Sequence, residues 1–382
     1  MRYSYGKQTI QKDDVDAVVR TLKSDWLTQG PAVRIFEESV ARYVNVRYAV
    51  AVANGTAALH LAVLALELEP GFEGITSTLS FAASANCVLY GQGNAKLVDV
   101  DRDTALMDLD QLEEKISINT KVVIPVHYAG QSCDMRRVRK IAGKHNAYVI
   151  EDAAHAIGSE YRKRKVGSCQ YSDMTVFSFH PVKTITSGEG GMITTNNKKL
   201  YAKLLLLRTH GITKDPKCLK KKNPEPWWYE MHSLGFNYRL TDLQAALGQN
   251  QMKKLERFKK KRRKIVEYYR KRSASSEFIT IVNERTESNA CWHLCPALID
   301  FDKLKITKRK FFERLQKKNV NLQVHYIPIH KQPYYRNLGF SDHDYPGANQ
   351  FYEKEVSLPC YPSLSILDVG QVYNIIVSEL EN

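Results

Sequence analysis

"KVVIPVHYAGQSCDMRRVRKIAGKHNAYVIED" (residues 121–152) decides the fold class. Residues 121–128 form a short β-branched run, 134–146 carry a helical pattern, and 147–152 return to a strand that ends on Glu151 and Asp152. The same alternation extends both ways. Strands are expected at 48–53, 74–80, 95–101, 173–180 and 190–195, and helices at 56–68 and 109–116. Such alternation predicts an α/β fold with a mostly parallel central sheet and helices on both faces. Ligands of these sheets bind beyond the carboxyl ends of the strands, so residues just after a strand deserve the closest reading.

The chain has 382 residues, 43% hydrophobic and 25% charged, the balance of a globular protein. That length predicts two domains: a large one over 1–254 and a smaller C-terminal one of mixed helix and strand over 255–382. Its expected elements include 291–299, 308–319 and 322–330, while 212–235, rich in lysine, proline and aromatics, reads as a long excursion loop. "MRYSYGKQTIQKDDVD" has no apolar signal core, and the longest apolar stretch, 59–66, is too short for a bilayer. A cytoplasmic protein with no membrane partner is therefore expected. The seven cysteines show no CxxC pair, and Cys291 and Cys295 form only a lone CxxxC, so reduced thiols and no metal site are expected.

A net charge of +15 attracts anions: nucleic acid, a membrane surface or a phosphorylated small molecule. Much of it lies in 253–272, where Leu255, Phe258, Ile265 and Tyr269 recur at roughly helical spacing. This predicts a long helix with one solvated basic face. No helix-turn-helix, zinc-finger or RNA-recognition pattern accompanies it, so no nucleic-acid partner is expected.

Four strand ends carry chemistry. "ANGTAALHLAV" (53–63) runs from a strand through Asn54, Gly55 and Thr56 straight into a helix, whose unpaired N–H groups and close glycine suit an anion. Thr56 either caps that helix or donates to a phosphate oxygen. In "VIEDAAHAIGSEY" (149–161), Asp152 either caps a helix or pairs with a buried cation such as a pyridinium nitrogen. Phe81, in "SFAASAN", packs in the core or stacks on a flat ring. In "FSFHPVKTITSGEGGM" (177–192), Ser178 ends a strand and Lys183 enters a glycine-rich turn of mostly small residues, where apolar surroundings would favour a neutral amine able to attack an aldehyde. Anion site, aspartate, serine and lysine in this order describe a pyridoxal-phosphate pocket.

With "SDWLTQGPAV", "SFAASANCVLYG", "VHYAGQSCDM", "GFNYRLTDLQAALG" and "QVHYIPIHKQPYY" added, nearly the whole chain resembles the DegT/DnrJ/EryC1/StrS sugar aminotransferases, which have the aspartate-aminotransferase fold type I. The resemblance implies that Lys183 binds pyridoxal 5′-phosphate covalently and Asp152 bonds its ring nitrogen. It places Phe81 against the ring and His155 near its phenolic oxygen, with Gly55, Thr56, Ala57 and Ser178 around the phosphate. Asn237 is implied to reach the cofactor of a neighbouring subunit, which makes the active unit a homodimer. Nucleotide-sugar contacts are implied for Tyr5, Asp25, Trp26, Leu27, Thr28, Arg239, His325, Tyr326, Ile327 and Pro328. The implied reaction is amino transfer from L-glutamate to a UDP-linked 4-keto-6-deoxy-N-acetylhexosamine, as on the pseudaminic acid route, with pyridoxamine 5′-phosphate as the intermediate. A dTDP- or UDP-4-keto-sugar of other configuration, a 3-keto-sugar substrate, or a DNA-binding regulator on this fold are the competing readings. Asn54 stands where the family commonly has serine, and Ala82 where a larger apolar residue is usual. Relatives with histidine in place of the lysine are dehydratases, and here the lysine is present.

Overall fold

The computed structural model describes residues 3–381. Seven strands form the main sheet: β1 (Tyr48–Val52), β2 (Glu73–Ser77), β3 (Asn94–Val98), β4 (Thr120–Ile124), β5 (Tyr148–Asp152), β6 (Met174–Ser178) and β7 (Gly191–Thr195). Their order is β1-β7-β6-β5-β4-β2-β3. The pairs β6–β5, β5–β4, β4–β2 and β2–β3 are parallel, and β7 runs antiparallel to both of its neighbours. The sheet is thus mostly parallel, as expected. The reversal at β7 follows from its connection. A parallel neighbour needs a crossover segment, usually a helix, whereas residues 179–190 form a glycine-containing turn that brings the chain straight back. Gly188 supplies the left-handed corner, with φ of +84°.

Alternation along the central strands feeds two cores. Val176 and Ile193 join the cluster of Val50, Leu61 and Ile124, while Phe177 and Met192 join that of Phe36, Val40 and Phe258. Every residue of β6 and β7 is buried, which is why these strands read as nearly continuous apolar runs. Helix α1 (Gly55–Leu64) follows β1 and is buried from Ala57 through Val63, in keeping with its apolar sequence on all sides. Helix α2 (Met135–Lys144) instead buries only Met135, Val138, Ile141 and Ala142, and Asp134 caps it by accepting the Arg137 N–H at 3.0 Å.

Helix α3 (Leu255–Ser273) starts at the expected domain boundary. Its apolar face buries Leu255, Phe258, Ile265 and Tyr269 as the spacing predicted. The basic run is not all solvated, however. Lys259 and Arg262 lie on the buried face, where Lys259 Nζ donates to the Gly158 carbonyl at 2.8 Å and Arg262 Nη1 to those of His293 at 2.9 Å and Cys360 at 2.6 Å. Beyond it, β8 (Ile279–Ile281), β9 (Cys295–Ile299) and β10 (Glu355–Leu358) make an antiparallel sheet. One apolar cluster runs from Ile75, Val98 and Val123 of the main sheet, through Ile265 and Tyr269, to Ile281, Ala297, Val356 and Ile376. The expected excursion at 212–235 contains one short strand pair, Ile212–Thr213 with Glu230–Met231. Residues 322–330 form almost no regular structure: an isolated bridge joins Gln323 to Ser357, and a 3-10 turn covers Ile329–Lys331. Among the described residues no helix is long and apolar enough to cross a membrane.

Candidate active site

A cavity of about 770 Å³ opens beyond the carboxyl ends of β1, β5 and β6. It brings together Tyr5, Gly55, Thr56, Ala57, Phe81, Asp152, His155, Ser178, Lys183, His325 and Tyr326. These come from widely separated stretches of chain, and the strand ends gather them.

The turn from β6 to β7 carries Lys183. Phe179 N–H donates to the Gly190 carbonyl at 2.8 Å and Ser187 N–H to that of Phe179 at 3.1 Å, so the turn is closed at its base. Thr186 Oγ1 donates to the Phe179 carbonyl at 2.9 Å, and the Lys183 N–H to that of His180 at 2.9 Å. The side chain enters the cavity. Burial lowers its pKa from 10.5 to about 8, against the opposing pull of the Asp152 carboxylate.

The anion cradle lies at the start of α1. Asn54, not Thr56, caps this helix: its Oδ1 accepts the Ala57 N–H at 2.8 Å and its carbonyl accepts that of Ala58 at 3.1 Å. Asparagine and serine both make good caps, so Asn54 at this position preserves the helix start. Thr56 is thereby left to face the cavity, and the N–H groups of Gly55 and Thr56 have no acceptor within the helix. A Cβ on Gly55 would lie only 3.0 Å from Ser178 Cβ and 3.3 Å from Ser178 Oγ. The glycine is what lets the helix start and the end of β6 form one close-set surface of donors.

On the opposite wall Asp152 is buried at the end of β5. Its Oδ2 accepts Ser84 Oγ–H at 2.6 Å and its Oδ1 the Ala154 N–H at 3.1 Å, which fixes the carboxylate plane. His155 Nε2 meets the Tyr326 hydroxyl at 2.8 Å, while its buried Nδ1 has no partner among the described residues. His293 packs on it with ring centroids 4.6 Å apart, and its Nδ1 is equally buried and unpartnered. Burial, reinforced by the Lys183 charge, holds both imidazoles well below the usual range, so both are neutral. Leaving such atoms unpaired costs about 1–3 kcal/mol each, the mark of a surface completed by a polar ligand. Phe81 is exposed at the mouth, 6.1 Å from the Tyr326 ring between centroids.

Other predicted residues lie outside this cavity lining. The Asp25–Thr28 stretch is tied to the 239–242 segment: Thr28 bridges Thr241, the Asp242 N–H donates to the Leu27 carbonyl at 3.0 Å, and the Asp242 carboxylate accepts Gly30 N–H at 2.7 Å. Trp26 and Leu27 are exposed at 55% and 45%. Asn237 bridges Thr209, and its neighbour Tyr238 lines the cavity instead. Arg239, Ile327 and Pro328 are likewise absent from the lining, and Ile327 is exposed. Sequence reasoning missed His293, His60 and Tyr238, all in the lining. A histidine inside an otherwise apolar run, as in "CWHLC" and "ALHLAV", was the available signal.

Backbone donors, a buried carboxylate and a lysine of lowered pKa thus converge on one cavity. The model of the DegT/DnrJ/EryC1/StrS aminotransferase family matches residues 8–377. The chain belongs to that family. It is an aminotransferase. It is 40% identical over 375 residues to the uncharacterized protein MJ1066 of Methanocaldococcus jannaschii, covering 97% of this chain and 96% of that one. It is 35% identical to the UDP-4-amino-4,6-dideoxy-N-acetyl-beta-L-altrosamine transaminase of Campylobacter jejuni, covering 99% and 97% of the two chains. Among solved structures it resembles Helicobacter pylori PseC, an aminotransferase of pseudaminic acid biosynthesis, with a TM-score of 0.92, 32% identity and full coverage of both chains. Spr1654 of Streptococcus pneumoniae, solved in pyridoxal- and pyridoxamine-phosphate forms, gives a TM-score of 0.90 in each, at 28% and 29% identity over 99–100% of this chain and 99% of that one.

Proposed function

We propose that this aminotransferase moves the amino group of L-glutamate to C4 of a UDP-linked 4-keto-6-deoxy-N-acetylhexosamine. The products are 2-oxoglutarate and a UDP-4-amino-4,6-dideoxy sugar. Pyridoxal 5′-phosphate would be the cofactor and would supply the carrier of nitrogen between the two half-reactions. The observation that carries this reading is the lysine of depressed pKa facing the buried Asp152 across a cavity that opens at a helix start. The likeness to the Campylobacter and Helicobacter proteins supports the choice of sugar.

The residues fit the cofactor. Gly55 and Thr56 N–H groups with Ser178 Oγ suit its phosphate, the Asp152 carboxylate suits a protonated ring nitrogen, and neutral His155, with Nδ1 unpaired, suits the ring's oxygen. Bound there, the group supplies a ring that takes up the electron pair left when a C–H bond breaks. Lys183 Nζ removes the proton from the donor's α-carbon and, in the second half-reaction, delivers one to C4 of the sugar. A pKa of about 8 allows it both duties near neutrality. Ser84 holds the Asp152 carboxylate in place. Tyr5, His325 and Tyr326 line the sugar side of the cavity. The exposed Trp26 and Leu27, together with Asp25, Thr28, Asn237 and Arg239, support a homodimer in which each copy completes the other's site.

The test is a mixture of purified protein, cofactor, glutamate and a panel of UDP- and dTDP-linked keto-sugars, with products identified by mass spectrometry and NMR. A 4-amino UDP-sugar formed in step with 2-oxoglutarate is expected. Preferential turnover of a dTDP- or 3-keto-sugar would overturn the substrate assignment. Burial of Lys259 and Arg262 withdraws charge from the basic helix and weighs against a DNA-binding role.

A further inference from the structure

Behind the sugar side of the cavity lies a chain of buried polar groups that the reaction above does not use. Glu355 in β10 is fully buried. Its Oε2 accepts the backbone N–H of His325 at 2.9 Å, and its Oε1 accepts Ser357 Oγ–H at 2.6 Å. Ser357 Oγ in turn lies 2.8 Å from His325 Nδ1. Tyr128 Oη–H donates to the His325 carbonyl at 2.6 Å and pins the same residue from the other side.

With Glu355 ionised, donor and acceptor roles along this chain are forced. A carboxylate only accepts, so the serine's one proton is committed to Glu355. The remaining role for Ser357 Oγ toward the imidazole is acceptor, which requires the ring proton on Nδ1. His325 is neutral, because burial and the Lys183 charge lower its pKa to about 3. Nε2 then carries a lone pair and no proton. No other described residue bonds it, and His325 lines the cavity whereas Ser357 does not.

We propose that Glu355 and Ser357 are positioning residues that hold His325 as its Nδ1–H tautomer, so that bare Nε2 selects a hydrogen-bond donor on the bound nucleotide-sugar. The selected group is a hydroxyl or an amide N–H. Diphosphate and carboxylate oxygens, which only accept, are turned away from this point of the wall. The identity of the ligand rests on the function proposed above; the tautomer does not. Burial pushes Glu355 up to about 7, while the Lys308 ammonium favours its charged form and the Tyr128 and Ser357 hydroxyls and the His325 N–H face it.

Neutron diffraction from crystals of the pyridoxal-phosphate-loaded protein, at pD of about 8.5 so that Glu355 is ionised, reads the tautomer directly. Deuterium on Nδ1 with none on Nε2 is expected, and deuterium on Nε2 overturns the proposal. Kinetics add a second reading. Ser357→Ala should raise KM for the keto-sugar about 10-fold while the glutamate half-reaction keeps its rate, and Ser357→Thr, which retains the hydroxyl, should restore KM. Equal slowing of both half-reactions would make the pair merely structural and sink the idea. If the neutron map shows the expected tautomer but no UDP-keto-sugar is turned over, the substrate assignment fails and the relay stands.

Discussion

Lys183 offers a sharp quantitative test, with pH as the perturbation. An ordinary lysine of pKa 10.5 is neutral in about one molecule per thousand at pH ~7.5. At the pKa of about 8 set by this cavity, roughly one in four is neutral, a gain of about 250-fold in attacking amine. Desolvation is the source, and the nearby Asp152 carboxylate works against it. The assay is stopped-flow absorbance of the apoprotein mixed with pyridoxal 5′-phosphate at a series of pH values. The rate of covalent capture should rise with unit slope up to pH ~8 and then level off. A rate still climbing tenfold per pH unit between about 9 and 10 would mean a solvated lysine. The desolvation argument would then be refuted, whatever the activity of the protein.

Two further substitutions probe the cavity walls. Asp152→Asn retains an oxygen for the Ser84 hydroxyl, so the protein should fold and still capture cofactor, while single-turnover proton abstraction from glutamate falls at least ~100-fold; unchanged turnover would remove Asp152 from the electron-sink role. Gly55→Ala places a methyl 3.0 Å from Ser178 Cβ between two rigid elements, so equilibrium binding of pyridoxal 5′-phosphate should weaken about 10-fold, or ~1.4 kcal/mol; full affinity in a folded variant would show that the phosphate is held elsewhere.

The main sheet was legible because its strands are short β-branched runs separated by helical patterns. β4, α2 and β5 fall within a few residues of the stretches read from 121–152. The orientation of β7 was not, since no periodicity distinguishes a strand that turns back from one that crosses over. Lys183, Asp152, Ser178 and residues 54–57, all of which contribute to the cavity lining, could be singled out because each ends or follows a strand. His293 was hidden for the opposite reason: it follows no strand end and reaches the cavity only through tertiary packing, with its N–H bonded to the Ala129 carbonyl at 2.9 Å. The basic helix misled in part because burial of Arg262 depends on three carbonyls, of Trp292, His293 and Cys360, that lie far from it in sequence. Capping by Asn54 rather than Thr56 turned on a two-residue shift in the helix start that side-chain type alone does not decide.

The antiparallel course of β7 has a mechanical consequence. Ser178 pairs with Gly191 and Phe177 with Met192, so the two feet of the loop bearing Lys183 face each other across one rung of a ladder that continues beneath them. Such a mounting leaves the backbone little room to swing. The journey of a proton from one substrate to the next is then measured by the length of a single butylamine arm, and longer or shorter homologues of that arm, installed chemically at position 183, would act as a ruler for the distance between the two carbons it serves.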